Sequence, residues 1–201
     1  MGGNGADAGA YELMTGALTP GKIIQHTKQC AIIPAGLALA GADATFTGDA
    51  RVNALAHALK PIRNKYDVIV IDCPPTLNTL LLNALVASDK VIIPLTADIY
   101  SLQGLYLLAQ TIQETRRAFN PSLSIGGALF VRHGGRTILS RDLSEVIAEN
   151  CASLGVPVFR TQIREGVAVR EAQTQRQSIF DYAPKSKPAR DYAALLDELG
   201  L

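Results

Sequence analysis

Residues 66–102 read YDVIVIDCPPTLNTLLLNALVASDKVIIPLTADIYSL, and the fold turns on this stretch. Val68, Ile69, Val70 and Ile71 form an unbroken β-branched run, too short for a helix, with Asp67 before it and Pro74 soon after. Such a run predicts a parallel strand covered on both faces. Asp72 closes it, at the carboxyl end, where open α/β sheets bind ligands and where phosphate-handling folds hold Mg²⁺ through water. An Asp there also serves as a helix cap or an ion-pair partner, so both readings stay open. Pro74 and Pro75 stop the ladder, and Thr76 is the predicted N-cap of a helix over 77–87. That helix is apolar nearly all round, as a buried element is. Asn83 is its odd residue, either a buried amide bonded to a neighbouring turn or a group near a nucleotide or dimer face. Val91 to Leu95 reads as the next parallel strand, and the loop from Thr96 to Tyr100 emerges at the crevice edge.

The same alternation extends outward. Downstream, the spacing predicts a helix over 101–119 with Leu102, Leu105, Tyr106, Ala109, Ile112 and Phe119 on one face, a strand over 124–131, a helix over 138–154 and a strand over 156–160. The loop from Arg132 through His133 and Gly134-Gly135 to Arg136 suits an anion or a solvated turn equally. The last helix, 188–199, places Tyr192, Leu195, Leu196 and Leu199 on one face and Asp191, Asp197 and Glu198 elsewhere. Upstream, 10–18 reads as a short helix closed by Gly16, 29–34 as a strand, and Asp49 caps a helix to about Lys65 with Val52, Leu55, Ala56, Leu59 and Ile62 as its stripe. His57 lies off that stripe. Strand and helix alternate throughout, which predicts an α/β fold with a parallel sheet wound by right-handed crossovers.

Composition bounds the function. The chain has 201 residues, 48% of them apolar, enough for one core, and no linker divides it, so a single domain over 1–201 is expected. With 19 basic and 18 acidic residues the net charge is +1, so any nucleic-acid surface must be a local patch. Cys30, Cys73 and Cys151 are far apart and lack histidines at ligand spacing, which argues against a disulfide framework or a zinc site and fits a reducing cytoplasm. The longest apolar run, 31–42, contains Pro34, Gly36 and Gly41 and is too short to span a bilayer, and the amino terminus has no basic region of a secretion signal.

The segment DCPPTLNTLLLNALVASDKVIIPLTADIYSLQGL, with Asn120-Pro121 and the later REAQTQRQSIFDYAPKSKPARDY, resembles the ParA/Soj branch of the deviant Walker A ATPases, the family that also contains MinD. The likeness covers nearly the whole chain. It implies a three-layer sandwich with a mostly parallel, P-loop NTPase-like sheet flanked by helices. It also exposes a departure: the family's KGGxGKT loop, which wraps ATP phosphates with backbone N–H groups and lysines, has no counterpart here. Gly2-Gly3-Asn4-Gly5 has no preceding strand and no lysine, and the first lysine is Lys22. The sequence therefore reads as the family fold with its first β-α-β unit missing, and a marginal or partner-dependent fold is expected, since removing an inner strand exposes edges.

The resemblance implies Mg²⁺ and ATP as cofactors, with Asp72 near the metal through water as the Walker B acid, and Pro74 and Pro75 shaping the loop beside it. The segment TQIREGVAVREA implies a border to the adenine, with Ile163, Arg164 and Val167 as nucleotide-binding positions; Arg164-Glu165-Gly166 departs from the usual Pro-Arg-Asn wording. Between Arg160 and Arg190 seven basic residues stand against three acidic ones. Arg160, Arg170, Arg176, Lys185, Lys187 and Arg190 are thus candidates for the family's non-specific DNA binding, with a solvated surface as the alternative. A homodimer or paralogue, a ParB-like centromere-binding protein and a nucleoid-associated cytoplasmic location follow from the same likeness, and the acidic end of the last helix argues against the membrane-binding tail of MinD-type members. Because the phosphate cradle carries most of the catalysis, no catalytic residue is assigned, and the chain is not expected to hydrolyse ATP alone. The alternative is a nucleotide-independent binding or regulatory module that dimerises with an intact paralogue. A cobyrinate-synthase-type ligase shares the fold but is disfavoured by the lack of a Cys and His pair at amidotransferase spacing.

Overall fold

In the computed structural model, residues 8–133 and 138–201 are described, with only the backbone of residues 99, 100 and 138–141. The glycine cluster Gly2 to Gly5 and the loop positions Gly134, Gly135 and Arg136 lie outside the described residues. The chain divides into two compact units, one of residues up to Asp89 with 111–123, the other of 90–110 with 124–201.

The first unit is mainly helical. Short helices α1 (Ala10–Met14) and α2 (Pro20–Ile23) lead into a two-strand antiparallel hairpin, β1 (Gln25–His26) and β2 (Ala31–Ile32), followed by a 3₁₀ turn, Leu37–Gly41. Then come α3 (Ala42–Thr45), α4 (Ala50–Leu59), and α5 (Thr79–Ala87). Leu13, Ile23, Leu59 and Ile62 form one apolar cluster, and Met14, Ala42, Phe46 and Ala54 another. Of the predicted stripe, Leu59 and Ile62 are buried and Leu55 packs against them, while Val52 and Ala56 are half-buried and Ala54, off the stripe, is buried. The helix ends at Leu59, earlier than expected, because residues 60–65 turn through a 3₁₀ segment.

Two helix ends are closed by side chains whose role the sequence did not announce. The N-cap of α5 is Asn78 and not Thr76: its Oδ1 accepts from Leu81 N, and Asp43 Oδ1 accepts from Thr79 N at 3.0 Å. At the other end, Asn120 Nδ2 donates to the carbonyls of Leu85, Val86 and Ser88 at 3.0, 3.2 and 2.7 Å, capturing the carbonyls a helix leaves orphaned.

Val68 to Ile71 depart from expectation. The backbone there is not assigned to a strand, and among the described residues it joins no ladder. Val68, Ile69 and Val70 are 49, 39 and 86% exposed, while Ile71 packs against the cluster around Leu13. Sheet membership needs a neighbour as well as a β-branched run, and the pattern alone does not supply one. Each exposed side chain forgoes much of the roughly 1.5–3 kcal/mol that burial provides.

The second unit holds a parallel pair. Lys90–Leu95 (β3) pairs with Ser124–Phe130 (β4), with a register shift between Val91 and Ile92. Leu95 O accepts from Val131 N, so by alternation the nitrogen of Pro94 faces the opposite edge, where among the described residues a missing N–H interrupts no ladder. Gly127, at φ +154°, lies so close to Phe159 that a Cβ would meet its ring at 2.8 Å. The predicted strand over 156–160 is reduced to an isolated parallel bridge, Ala128 with Val158, and a second bridge joins His133 and Arg164.

Between the two strands runs α6 (Ile99–Ala118), whose Leu105, Ala109, Ile112 and Thr115 are buried. Tyr106 and Phe119, expected on that inner face, are exposed. The remaining helices are α7 (Ile138–Ser153), α8 (Val167–Thr174), α9 (Ile179–Tyr182) and α10 (Lys187–Leu199). Leu129, Phe159, Ile163 and Leu195 form the apolar cluster on which α10 sits.

Candidate functional site

Asp72 follows the exposed run and is itself exposed, with no hydrogen bond or ion pair among the described residues. Neither a helix cap nor a salt bridge therefore accounts for it. Pro74 is partly buried and Pro75 exposed. The neighbouring Cys73 thiol is pushed up from its ordinary value by burial, and further by the Asp72 charge. No group of three or more His, Cys, Asp or Glu is assembled among the described residues, so Asp72 stands as a single carboxylate.

Asn83 is settled more firmly. It is 0% exposed, its Nδ2 donates to Arg51 O at 2.7 Å and Thr79 O at 3.0 Å, and its Oδ1 accepts from Leu55 N at 3.0 Å. It is the buried amide of the two readings, fastening α4 to α5.

In the second unit, Ile163, Arg164 and Val167 have three different environments. Ile163 is buried in the apolar cluster, and its N–H bonds to Phe130 O at 2.8 Å. Val167 opens α8 and is largely exposed. Arg164 grips Asp191: Nε reaches Oδ2 at 2.9 Å, Nη2 reaches Oδ1 at 2.5 Å, and the Arg164 backbone N–H also donates to Oδ2 at 2.9 Å. The fork matches guanidinium to carboxylate in two places, the stronger kind of ionic hydrogen bond. It holds the Asp191 carboxyl below the usual range, chiefly through the guanidinium hydrogen bond and against the opposing effect of burial. The Arg164 pKa is raised in return, again chiefly by the side-chain bond. Asp191 is 8% exposed, whereas helical periodicity had put it off the apolar face. His133, whose backbone forms the bridge to Arg164, has its ring Nδ1 buried without a hydrogen-bond partner among the described residues.

The basic residues divide by what they touch. Arg160 Nε is 3.7 Å from Glu198, and Arg170 Nη1 is 4.0 Å from Glu165, both on exposed guanidinium groups. Arg176, Lys185, Lys187 and Arg190 are exposed and form no ion pair among the described residues. Arg176 has φ +53°, a left-handed conformation rarely taken outside glycine. It ends α8 with Arg176 N bonded to Gln173 O and Gln177 N to Ala172 O, the hydrogen-bond pair of a Schellman motif.

The AAA domain family AAA_31 matches residues 4–125. The chromosome-partitioning ATPase Soj of Treponema pallidum is 34% identical over 192 residues, covering 94% of this chain and 75% of Soj. The chain belongs to the ParA/MinD superfamily. An uncharacterized member from Mycobacterium tuberculosis, Rv1708, is 36% identical over 178 residues, and there the chain spans only 55% of the relative's length. Among solved members, the cobyrinic acid a,c-diamide synthase of Mycobacterium smegmatis with bound ADP and magnesium is similar at 30% identity and a TM-score of 0.81, over 96% of this chain and 71% of that one. The α/β fold with its parallel sheet is thus that of the superfamily's P-loop NTPases.

Sequence reading missed Asp191, Glu198, Asp43 and Asn120, which organise backbone and not ligand. The signal available for the first two was a pair of carboxylates about two helical turns apart on α10.

Proposed function

We propose that this chain is a ParA-like partition protein acting in plasmid or chromosome segregation. The observation that carries the reading is its 34% identity with Soj across 94% of its length, which includes the segments that hold Asp72 and Arg164. The second partner class is DNA, bound without sequence preference by Arg160, Arg170, Arg176, Lys185, Lys187 and Arg190. The exposure of Arg176, Lys185, Lys187 and Arg190, with no ion pair among the described residues, supports this. A homodimer or pairing with a paralogue, a ParB-like partner and a nucleoid-associated location in the cytoplasm complete the proposal. No helix among the described residues is long and apolar enough to cross a membrane.

Magnesium and ATP are the cofactors this reading implies. Mg²⁺ keeps several waters and takes one or two carboxylates together with phosphate oxygens, a demand to which Asp72, exposed and unpaired among the described residues, contributes one water-mediated contact. Pro74 and Pro75 shape the adjoining loop, and Ile163, Arg164 and Val167 border the nucleotide. The 201 residues contain no KGGxGKT sequence, so they do not complete a phosphate cradle, and no hydrolytic step is derived from them. These residues do not hydrolyse ATP by themselves. The exposed Val68 to Val70 favours the second reading as well, a binding module that works without nucleotide by pairing with an intact paralogue.

The synthase activity named for the Mycobacterium smegmatis protein is not carried over. The cysteines of this chain, Cys30, Cys73 and Cys151, form no Cys and His pair at amidotransferase spacing, and the resemblance runs to partition proteins.

Fluorescence anisotropy with a labelled non-specific duplex, run as a salt series with and without Mg-ATP, tests the proposal. The expected result is salt-sensitive binding whose logarithmic slope falls by about one for each of Lys185, Lys187 and Arg190 replaced by Ala. No binding at low salt, or a slope unchanged in the triple variant, would sink the DNA assignment.

A further inference from the structure

The segment from Phe159 to Arg164 is hydrogen-bonded on both sides, and among the described residues only the side facing β4 is paired with strand backbone. Towards β4, Phe159 N donates to Ala128 O at 3.0 Å, Ile163 N to Phe130 O at 2.8 Å, and Ile163 O accepts from His133 N at 3.0 Å. Away from β4 the donors meet carboxylates. Arg160 N reaches Glu198 Oε1 and Thr161 N reaches Glu198 Oε2, each at 2.9 Å, and Arg164 N reaches Asp191 Oδ2 at 2.9 Å. Both acids belong to α10, seven positions and so about two turns apart, which places them on one face of the helix. Unsatisfied N–H groups along a strand edge are costly when buried and promote association when exposed. Here the acids of a helix take the place of the strand that would otherwise cover that edge.

We infer that Asp191 and Glu198 are positioning residues, which hold residues 160–164 as a neighbouring strand would and thereby fix the segment from Ile163 to Val167. Asp191 carries the larger share, because it grips both the backbone and the guanidinium of Arg164, three residues before Val167 opens α8. The junction is tight on its far side too. A Cβ on Gly166 would lie 2.7 Å from Pro188 Cγ, so the start of α8 rests on the start of α10. The inference rests on the nucleotide-bordering role proposed for Ile163, Arg164 and Val167 only in its consequence for binding; the clamp itself stands on the contacts.

Hydrogen–deuterium exchange of the 201-residue chain and its Asp191→Asn, Asp191→Glu and Glu198→Gln variants tests it. The expected result is at least a tenfold faster exchange at the Arg164 amide in Asp191→Asn and at the Arg160 and Thr161 amides in Glu198→Gln, each leaving the other site and the core of β4 near wild type. Asp191→Glu restores much of the protection at Arg164. Unchanged exchange at Arg164 in Asp191→Asn, or equal acceleration of every amide in the unit, would overturn the clamp. A fluorescent ADP analogue supplies the separate readout: weaker binding in Asp191→Asn, measured well below the melting temperature of every variant so that each is folded, with recovery in Asp191→Glu, supports positioning of the nucleotide segment. Equal binding by all variants overturns that consequence, and no binding by the wild type removes the nucleotide reading while exchange still decides the clamp.

Discussion

Arg176 ends α8 where Gly155 and Gly200 end α7 and α10. At all three, the residue in the left-handed conformation bonds back three positions and its successor bonds back five. Glycine is the usual occupant because it has no Cβ to crowd the following carbonyl. Replacing Arg176 with Gly should therefore stabilise the chain by about 1 kcal/mol in urea unfolding, while weakening duplex binding. A destabilised Arg176→Gly would mean that the arginine side chain makes stabilising contacts of its own. Arg164 gives the opposite lesson. The resemblance implies a place for it beside the nucleotide, and its charge is bound to Asp191, a partner that sequence separation conceals.

Among the elements, α5 is held by three polar side chains from outside its own sequence neighbourhood or within its buried face: Asp43 at its start, Asn83 in its middle and Asn120 at its end. Asn83→Ala would remove the amide that ties Leu55 N–H and Arg51 O of α4 to α5 and leave a cavity in its place, and a loss of roughly 3 kcal/mol is expected by chemical denaturation. For α10 the handle is pH. Asp191 has a lowered pKa when folded, so its contribution is full above the unfolded value of about 3.9 and is lost as pH falls through the folded value. Asp191→Asn should be less stable than wild type at neutral pH, and the two should converge below about pH 4; parallel acid-unfolding curves would contradict this. The positions of α4, α5, β3, α6, β4, α7 and α10 were legible because each has a strong periodic pattern and flanking turn residues. The caps were not, since Asn78 and Thr76 are equivalent by type, and the choice between them lies with Asp43, 36 positions from its partner Thr79.

For the whole molecule, family membership was readable from ordered motifs, whereas the fate of Val68 to Ile71 was not. A β-branched run predicts a strand only where a neighbour supplies the other half of each backbone hydrogen bond, and here none does among the described residues. The run's side chains are exposed, Asp72 after it is unpaired among the described residues, and the proposal is that these 201 residues, which contain no KGGxGKT sequence, do not hydrolyse ATP alone. That reading is tested most directly by measuring phosphate release from Mg-ATP with the purified 201-residue chain beside its Asp72→Ala variant. The account predicts the same background rate for both, and release by the wild type that disappears in the variant would contradict it.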